Sequence, residues 1–278
     1  MRKVGLIVLG LVCAAAVQAT ARAAGPSPGV LQGQAGIARG DIRYVAVPGP
    51  FSTTLEAIRR RGGRVVRFKP LTGSWGIPLV AYDGSAGGLS VDGRKLVLAE
   101  ANGIFPGKKR TSFLIVDTKT FRVLQTVELK GSFSFDALSP NGRRLYLIEH
   151  LWTDQSSPRY RVRAFDLQTQ RLLARVISDK TSWETDMEGM PVSRLAHDGW
   201  AYTLYGAVGP RPFIHALDLR HAAAVCIDMP WKYQPKNVFE YRLRRDGDGH
   251  LVVRGPRGRA LAVVDLQEKR LLRFVPNP

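Results

Sequence analysis

Only two cysteines occur in 278 residues, Cys13 and Cys226. No disulfide framework can be written with them, so stability must come from a hydrophobic core, which a chain of this length can supply. Paired-cysteine zinc motifs are excluded on the same ground. Cys226 lies in the apolar run "AAAVCIDMP", where it reads as a small hydrophobe rather than a nucleophile. Acidic residues are also scarce, 23 against 41 lysines and arginines, and the net charge is +18. Such a surface attracts anionic polymers. The basic clusters Arg59–Arg61, Lys108–Arg110 and Arg242–Arg245 do not interleave with aromatics, so nucleic acid is not expected as a partner. No stretch carries helical periodicity. The five histidines, His150, His197, His215, His221 and His250, show no pairing at metal-ligand spacing. Neither a G-x-S-x-G elbow nor a P-loop is present. No cofactor is expected, and no metal is assigned.

The one long apolar run is at the start. Arg2 and Lys3 precede Val4–Val17, and the small residues of "QATARAA" follow. A positive head, a short apolar stretch and a small-residue cleavage region read as a signal peptide over residues 1–24. The run is short for a membrane anchor. Val12 stands where a lipobox would carry a small residue, so lipidation at Cys13 is not expected. The chain is therefore expected to be exported, secreted or periplasmic, and monomeric. Gly25 to Gly40, rich in glycine and proline, reads as a flexible lead-in. The remainder, 41–278, has no second composition break and reads as one domain.

That domain is repetitive. "LSVDGRKLVLAEA" (89–101), "ALSPNGRRLYLIEH" (137–150), "LAHDGWAYTLYGA" (195–207) and "RRDGDGHLVVRG" (244–255) each read strand, Asp-Gly or Asn-Gly turn, strand. Those dipeptides suit a two-residue hairpin, because glycine and its neighbour tolerate positive φ. "SFLIVDTKTFRVLQTVEL" (112–129) and its three later copies read as a strand ending in Asp, a polar turn, and a returning strand. The turn glycines Gly93, Gly142, Gly199 and Gly249 are 49, 57 and 50 residues apart; Asp117, Asp166, Asp218 and Asp265 are 49, 52 and 47 apart. "RYVAV" (43–47) and "TTLEAIRRRGGRVVRFKPL" (53–71) form a fifth, eroded copy with no evident innermost strand.

Four antiparallel strands repeated at this period predict an all-β β-propeller, most simply of five blades with blade one incomplete. A sixth unit is not found, although "GIPLVAY" (76–82) is a spare strand candidate, and a β-sandwich is the competing architecture. The rhythm of Asp-Gly turns and strand-ending aspartates resembles the secreted YVTN-type and WD-repeat-like propellers of bacteria over about 43–276. No Trp-Asp dipeptide closes a blade. The resemblance speaks for the fold and not for an activity.

The antiparallel order places the one–two and three–four turns on one face of the disc and every long segment on the other. Trp75, Trp152, Trp183 and Trp231 lie in those long segments, together with Glu100, Glu149, His150 and Asp186. Long, aromatic, charged loops on a rigid ring are where binding is usually placed. These eight residues are the expected ligand-binding set, with a protein or a cell-envelope polymer as partner. The alternative is an enzyme acting on glycans, with Asp83, Asp136 and Glu188 as axial carboxylates for acid and base work.

Overall fold

The computed structural model describes residues 27–33, 35–101, 108–151, 159–179, 186–206, 211–231 and 237–276. The signal-peptide reading lies outside these residues. Among these described residues there are twenty-two strands: β1 (Val30–Leu31), β2 (Gly36–Arg39), β3 (Ile42–Pro48), β4 (Ser52–Arg59), β5 (Val65–Thr72), β6 (Trp75–Pro78), β7 (Lys95–Glu100), β8 (Arg110–Asp117) and β9 (Val123–Lys130), then β10 (Ser132–Leu138), β11 (Arg144–His150), β12 (Arg159–Asp166), β13 (Arg171–Leu172) and β14 (Met187–Glu188). They continue with β15 (Met190–His197), β16 (Trp200–Gly206), β17 (Phe213–Asp218), β18 (Ala223–Asp228), β19 (Arg242–Arg245), β20 (His250–Arg254), β21 (Ala260–Asp265) and β22 (Arg270–Phe274).

They form five antiparallel sheets, the five blades of a β-propeller. Blade one is β2–β5, blade two β6–β9 with β1 on its inner side, blade three β10–β13 with β14, blade four β15–β18 and blade five β19–β22. Blade one is complete, which corrects the expectation of a missing inner strand. Gly36–Arg39 pairs with β3, so residues expected to be a flexible lead-in supply that strand, and β1 pairs with β6. Gly36 is needed there, since a Cβ would lie 2.0 Å from the Tyr44 carbonyl oxygen. The spare strand candidate at 76–82 is in part β6, the start of blade two's inner strand.

The turns explain the repeated residues. In blades two and three Ser90 and Ser139 receive hydrogen bonds from the backbone N–H of Lys95 and Arg144, and only the glycine of each Asp-Gly or Asn-Gly pair has positive φ. These are four-residue loops, not the expected two-residue hairpins. Among these copies blade four has the tight form, with Asp198 and Gly199 both at positive φ, and blade one also turns in two residues, Gly40 and Asp41. Each strand-ending aspartate receives backbone N–H bonds from the turn that follows, as Asp117 does from Thr120 and Asp265 from Gln267 and Glu268. Four residues after each aspartate the chain enters the left-handed region, at Phe121, Gln170, Ala222 and Lys269. Two of these side chains reach the preceding blade: Phe121 packs edge-on to Tyr44, and the Lys269 ammonium sits 4.3 Å above Trp200.

Four apolar clusters fill four seams, between blades one and two, two and three, three and four, and four and five. Polar stitches reinforce three of them on the short-turn face. Arg67 donates to the Thr118 carbonyl (3.0 Å), Lys95 to Gly142 (3.1 Å) and the Tyr146 hydroxyl to Leu219 (2.9 Å).

Candidate functional site

The inner strand of blade two is interrupted. It begins as β6, leaves the sheet at Leu79, and resumes at Gly88, whose carbonyl accepts the Val97 N–H. The intervening "LVAYDGSAG" folds into a small hairpin, with Val80 N–H bonded to Ser85 O, a Leu79–Ala86 bridge, and Gly84 at φ 85°. This strap does not stay with its own blade. The N–H groups of Tyr82 and Asp83 donate to the carbonyls of Pro191 and Val192 on blade four, at 2.8 and 3.1 Å. Blades two and four are not neighbours, so the strap crosses the ring interior. Pro191 and Val192 open β15, which places the crossing near the long-loop face. On the way Gly87 meets blade three, where a Cβ would stand 2.5 Å from the Phe135 ring. The Tyr82 ring lies edge-on to Phe239, 5.9 Å away, and burial pushes its hydroxyl pKa up to about 12.

Polar groups lock the strap down. The Ser193 hydroxyl donates to Asp83 Oδ2 at 2.6 Å and accepts the N–H of Leu243 from blade five at 2.9 Å. The Arg194 N–H also reaches Asp83, and the Arg194 guanidinium donates to the Asp136 carboxylate and carbonyl of blade three. This ion pair is deeply buried, with side-chain exposures of 6% for Arg194 and 5% for Asp136. Asp83 and Asp136 are thus brought together, but as the two acceptors of one blade-four strand. Glu188 does not join them. It is exposed on β14 against Arg159, at the edge of blade three. This corrects the picture of three axial carboxylates free for acid and base work, because Asp136 is buried against a guanidinium and Asp83 is held by Ser193 and the Arg194 N–H, so neither is presented to a substrate.

The expected ligand-binding set is dispersed in the same way. Trp231 is fully buried between blades four and five, edge-on to Tyr241, and its N–H donates to the Val275 carbonyl at 3.1 Å. Trp75 is buried between blades one and two, with its N–H on the Thr72 carbonyl at 2.7 Å. Both were expected to face a ligand; both are core, because a large ring at a blade junction removes more apolar area from water inside the seam than outside it. The carboxylates are paired: Glu100 with Lys108 (3.1 Å), Glu149 with Arg163 (2.6 Å), and Asp186 with Arg159 (2.5 Å) and Arg161. His150 is buried, with Nε2 3.0 Å from the Ser134 hydroxyl. Trp152 and Trp183 lie outside the described residues.

What the long-loop face does expose is phenylalanine. Phe51, in the two–three loop of blade one, is 90% exposed, and Phe239, in the connection to blade five, is 40% exposed beside the strap. Neither stands out in sequence, since a single Phe after Gly-Pro, or after Asn-Val, resembles any loop residue. The residues that organise the mouth, Tyr82, Ser193 and Arg194, also belong to no motif.

Two buried histidines set a pH dependence. Burial lowers the pKa of His150 to about 3 and that of His215 to about 4, the latter in the field of Asp136, Arg194 and Asp179. In the unfolded chain both titrate near 6.5. Below about pH 6.5 the unfolded state therefore binds protons that the folded state refuses, and stability, complete above that pH, falls toward the folded values. The urea midpoint is expected to be lower at pH 5 than at pH 7.5, and His215→Leu to shrink that difference. Equal midpoints at the two pH values would count against buried neutral imidazoles.

No family model and no curated protein matches the chain. Solved structures do. Dihydro-heme d1 dehydrogenase NirN in complex with DHE aligns over 90% of this chain and 48% of its own length, at 11% identity and a TM-score of 0.50. The Dos1 propeller aligns over 85% and 56% (13% identity, TM-score 0.47), and the β-propeller domain of the trilobed protease from Pyrococcus furiosus over 88% and 71% (11%, 0.45). The chain spans about half the length of the first structures it matches, 46%, 59% and 42% of them. The architecture is that of a β-propeller. Among the described residues no helix is long and apolar enough to cross a membrane.

Proposed function

We propose that this chain is an exported, non-catalytic propeller of the YVTN or WD-repeat-like kind, a binding module that holds a protein or a cell-envelope polymer on its strapped face. One observation carries the reading. Asp83 and Asp136, the two candidate axial carboxylates that come together, are both engaged by the inner strand of blade four. These two carboxylates are thereby committed to holding the ring, while Phe51, and in part Phe239, reach solvent on the same side. Exposed aromatic rings on a rigid platform bind apolar side chains and sugar faces alike.

The test is retention on isolated cell envelopes. Phe51→Ser with Phe239→Ser is expected to reduce the bound fraction about tenfold, in the range that loss of two aromatic contacts produces, while the melting temperature stays within a few degrees of the parent. Unchanged retention would remove the strapped face as the binding surface.

A further inference from the structure

The fifth seam differs from the other four. Among the described residues no apolar cluster, hydrogen bond or ion pair joins blade five to blade one. Val45, Val252 and Val263 are buried and belong to none of the four clusters. Outward of them, the residues on the outer strands of both blades are exposed and chemically unlike.

Strand alternation identifies them. Leu243, Leu251, Val253 and Val264 pack toward blade four, so Arg242, Arg244, Arg254, Arg270 and Arg273 point the other way, toward blade one. Cross-strand register agrees, with Arg244 opposite Val252, Arg242 opposite Arg254, and Arg273 opposite Val263. None of these five guanidiniums is paired with a carboxylate among the described residues. Asp265, on the same face, has one oxygen occupied by the N–H groups of Gln267 and Glu268. On blade one, Ala46, Leu55, Ala57 and Leu71 pack toward blade two. The surface turned to blade five therefore carries Ile58, Val66, Phe68 and Pro70 outward of Val45, with Glu56 its one acid and Arg43, opposite Ile58, its base at the short-turn end; Phe68 is 68% exposed.

We propose that this seam binds an extended peptide segment of a partner protein in which acidic and apolar residues alternate. A strand sends successive side chains to opposite sides. Laid between these walls, it would direct carboxylates onto the arginines of blade five and apolar side chains onto Val66 and Phe68 of blade one. Guanidinium–carboxylate pairs are the strong, geometrically specific kind. A second copy of this chain is the wrong occupant, because two molecules of net charge +18 repel. A polyanion without apolar groups would leave the blade-one wall uncovered. The surface is separate from the strapped face, so the two proposals stand or fall independently.

The test uses the whole protein and a labelled twelve-residue peptide of alternating glutamate and valine, with a lysine–valine peptide and an oligothymidylate as comparisons, read by fluorescence anisotropy. The glutamate–valine peptide is expected to bind, to weaken with added salt, and to lose at least tenfold in affinity in Arg244→Ala/Arg273→Ala. Phe68→Glu is expected to weaken it similarly, and removing two exposed charges on blade two, Arg122→Ala/Lys130→Ala, to change it less than threefold. All five positions are exposed, so thermal melting should stay near the parent. Unchanged affinity in both seam variants overturns the proposal. So does an oligothymidylate that binds more tightly than the peptide and is weakened by the same variants, which would make the seam a nucleic-acid site.

Discussion

Arg194→Ala is expected to destabilise the protein by about 3–5 kcal/mol, the cost of leaving one member of a buried ion pair without its partner. The variant strands Asp136 at the junction of blades three and four, where its side chain is 5% exposed. For a domain of this size the loss corresponds to a fall in melting temperature of roughly 10 °C. The backbone N–H of residue 194 still reaches Asp83, so the effect isolates the guanidinium. Replacing both members, Asp136→Leu with Arg194→Met, is expected to recover most of the loss, because burying two apolar side chains avoids the desolvation of two charges. A catalytic carboxylate would behave otherwise: its replacement would leave stability nearly unchanged or raise it. Thermal and urea unfolding of the two variants separate the two accounts.

Trp231→Ala is expected to cost about 3–5 kcal/mol, as for truncation of a large buried aromatic. Its ring fills the seam between blades four and five beside Val238, Tyr241 and Leu243, and the vacated volume cannot close without moving a whole blade. Trp231→Phe should recover much of this while leaving the Val275 carbonyl without its indole donor. Retention on cell envelopes, measured well below the melting temperature, should be indifferent to either change. A ligand-stacking tryptophan would show the opposite pattern, intact stability with lost retention, and that result would restore the residue to the binding surface.

These two residues also mark how far the sequence could be read. The ring was legible because it is repetitive: Asp117, Asp166, Asp218 and Asp265 recur for a local reason, the bonding of turn N–H groups, and local reasons survive in sequence. The inner strand of blade one was not, since "GIAR" carries no β-branched alternation and sits in a glycine-rich run. The strap was hidden because it splits one strand into two halves, which breaks the period by which copies are aligned. Arg194 was obscured by turn length. Blade four turns in two residues where blades two and three use four-residue loops, so His197 pairs two residues before Gly199 whereas Ser139 lies three before Gly142. Counting from the glycine is then one residue out, and one residue exchanges the faces of a strand. The role of a tryptophan in a connection depends on what packs over it, and neither Trp75 nor Trp231 carries that in its neighbours along the chain.

The account turns on the strap that runs from blade two across the ring to blade four. Hydrogen exchange of the backbone amides of Tyr82 and Asp83 tests it most directly, since a free loop and a bonded crossing differ by orders of magnitude in protection. The strap predicts protection comparable to that of the inner strand 190–195 to which these amides are bonded. Exchange within seconds, at the rate of an open loop, would leave the mouth of the ring unstrapped, and with it Asp83 available to solvent and substrate.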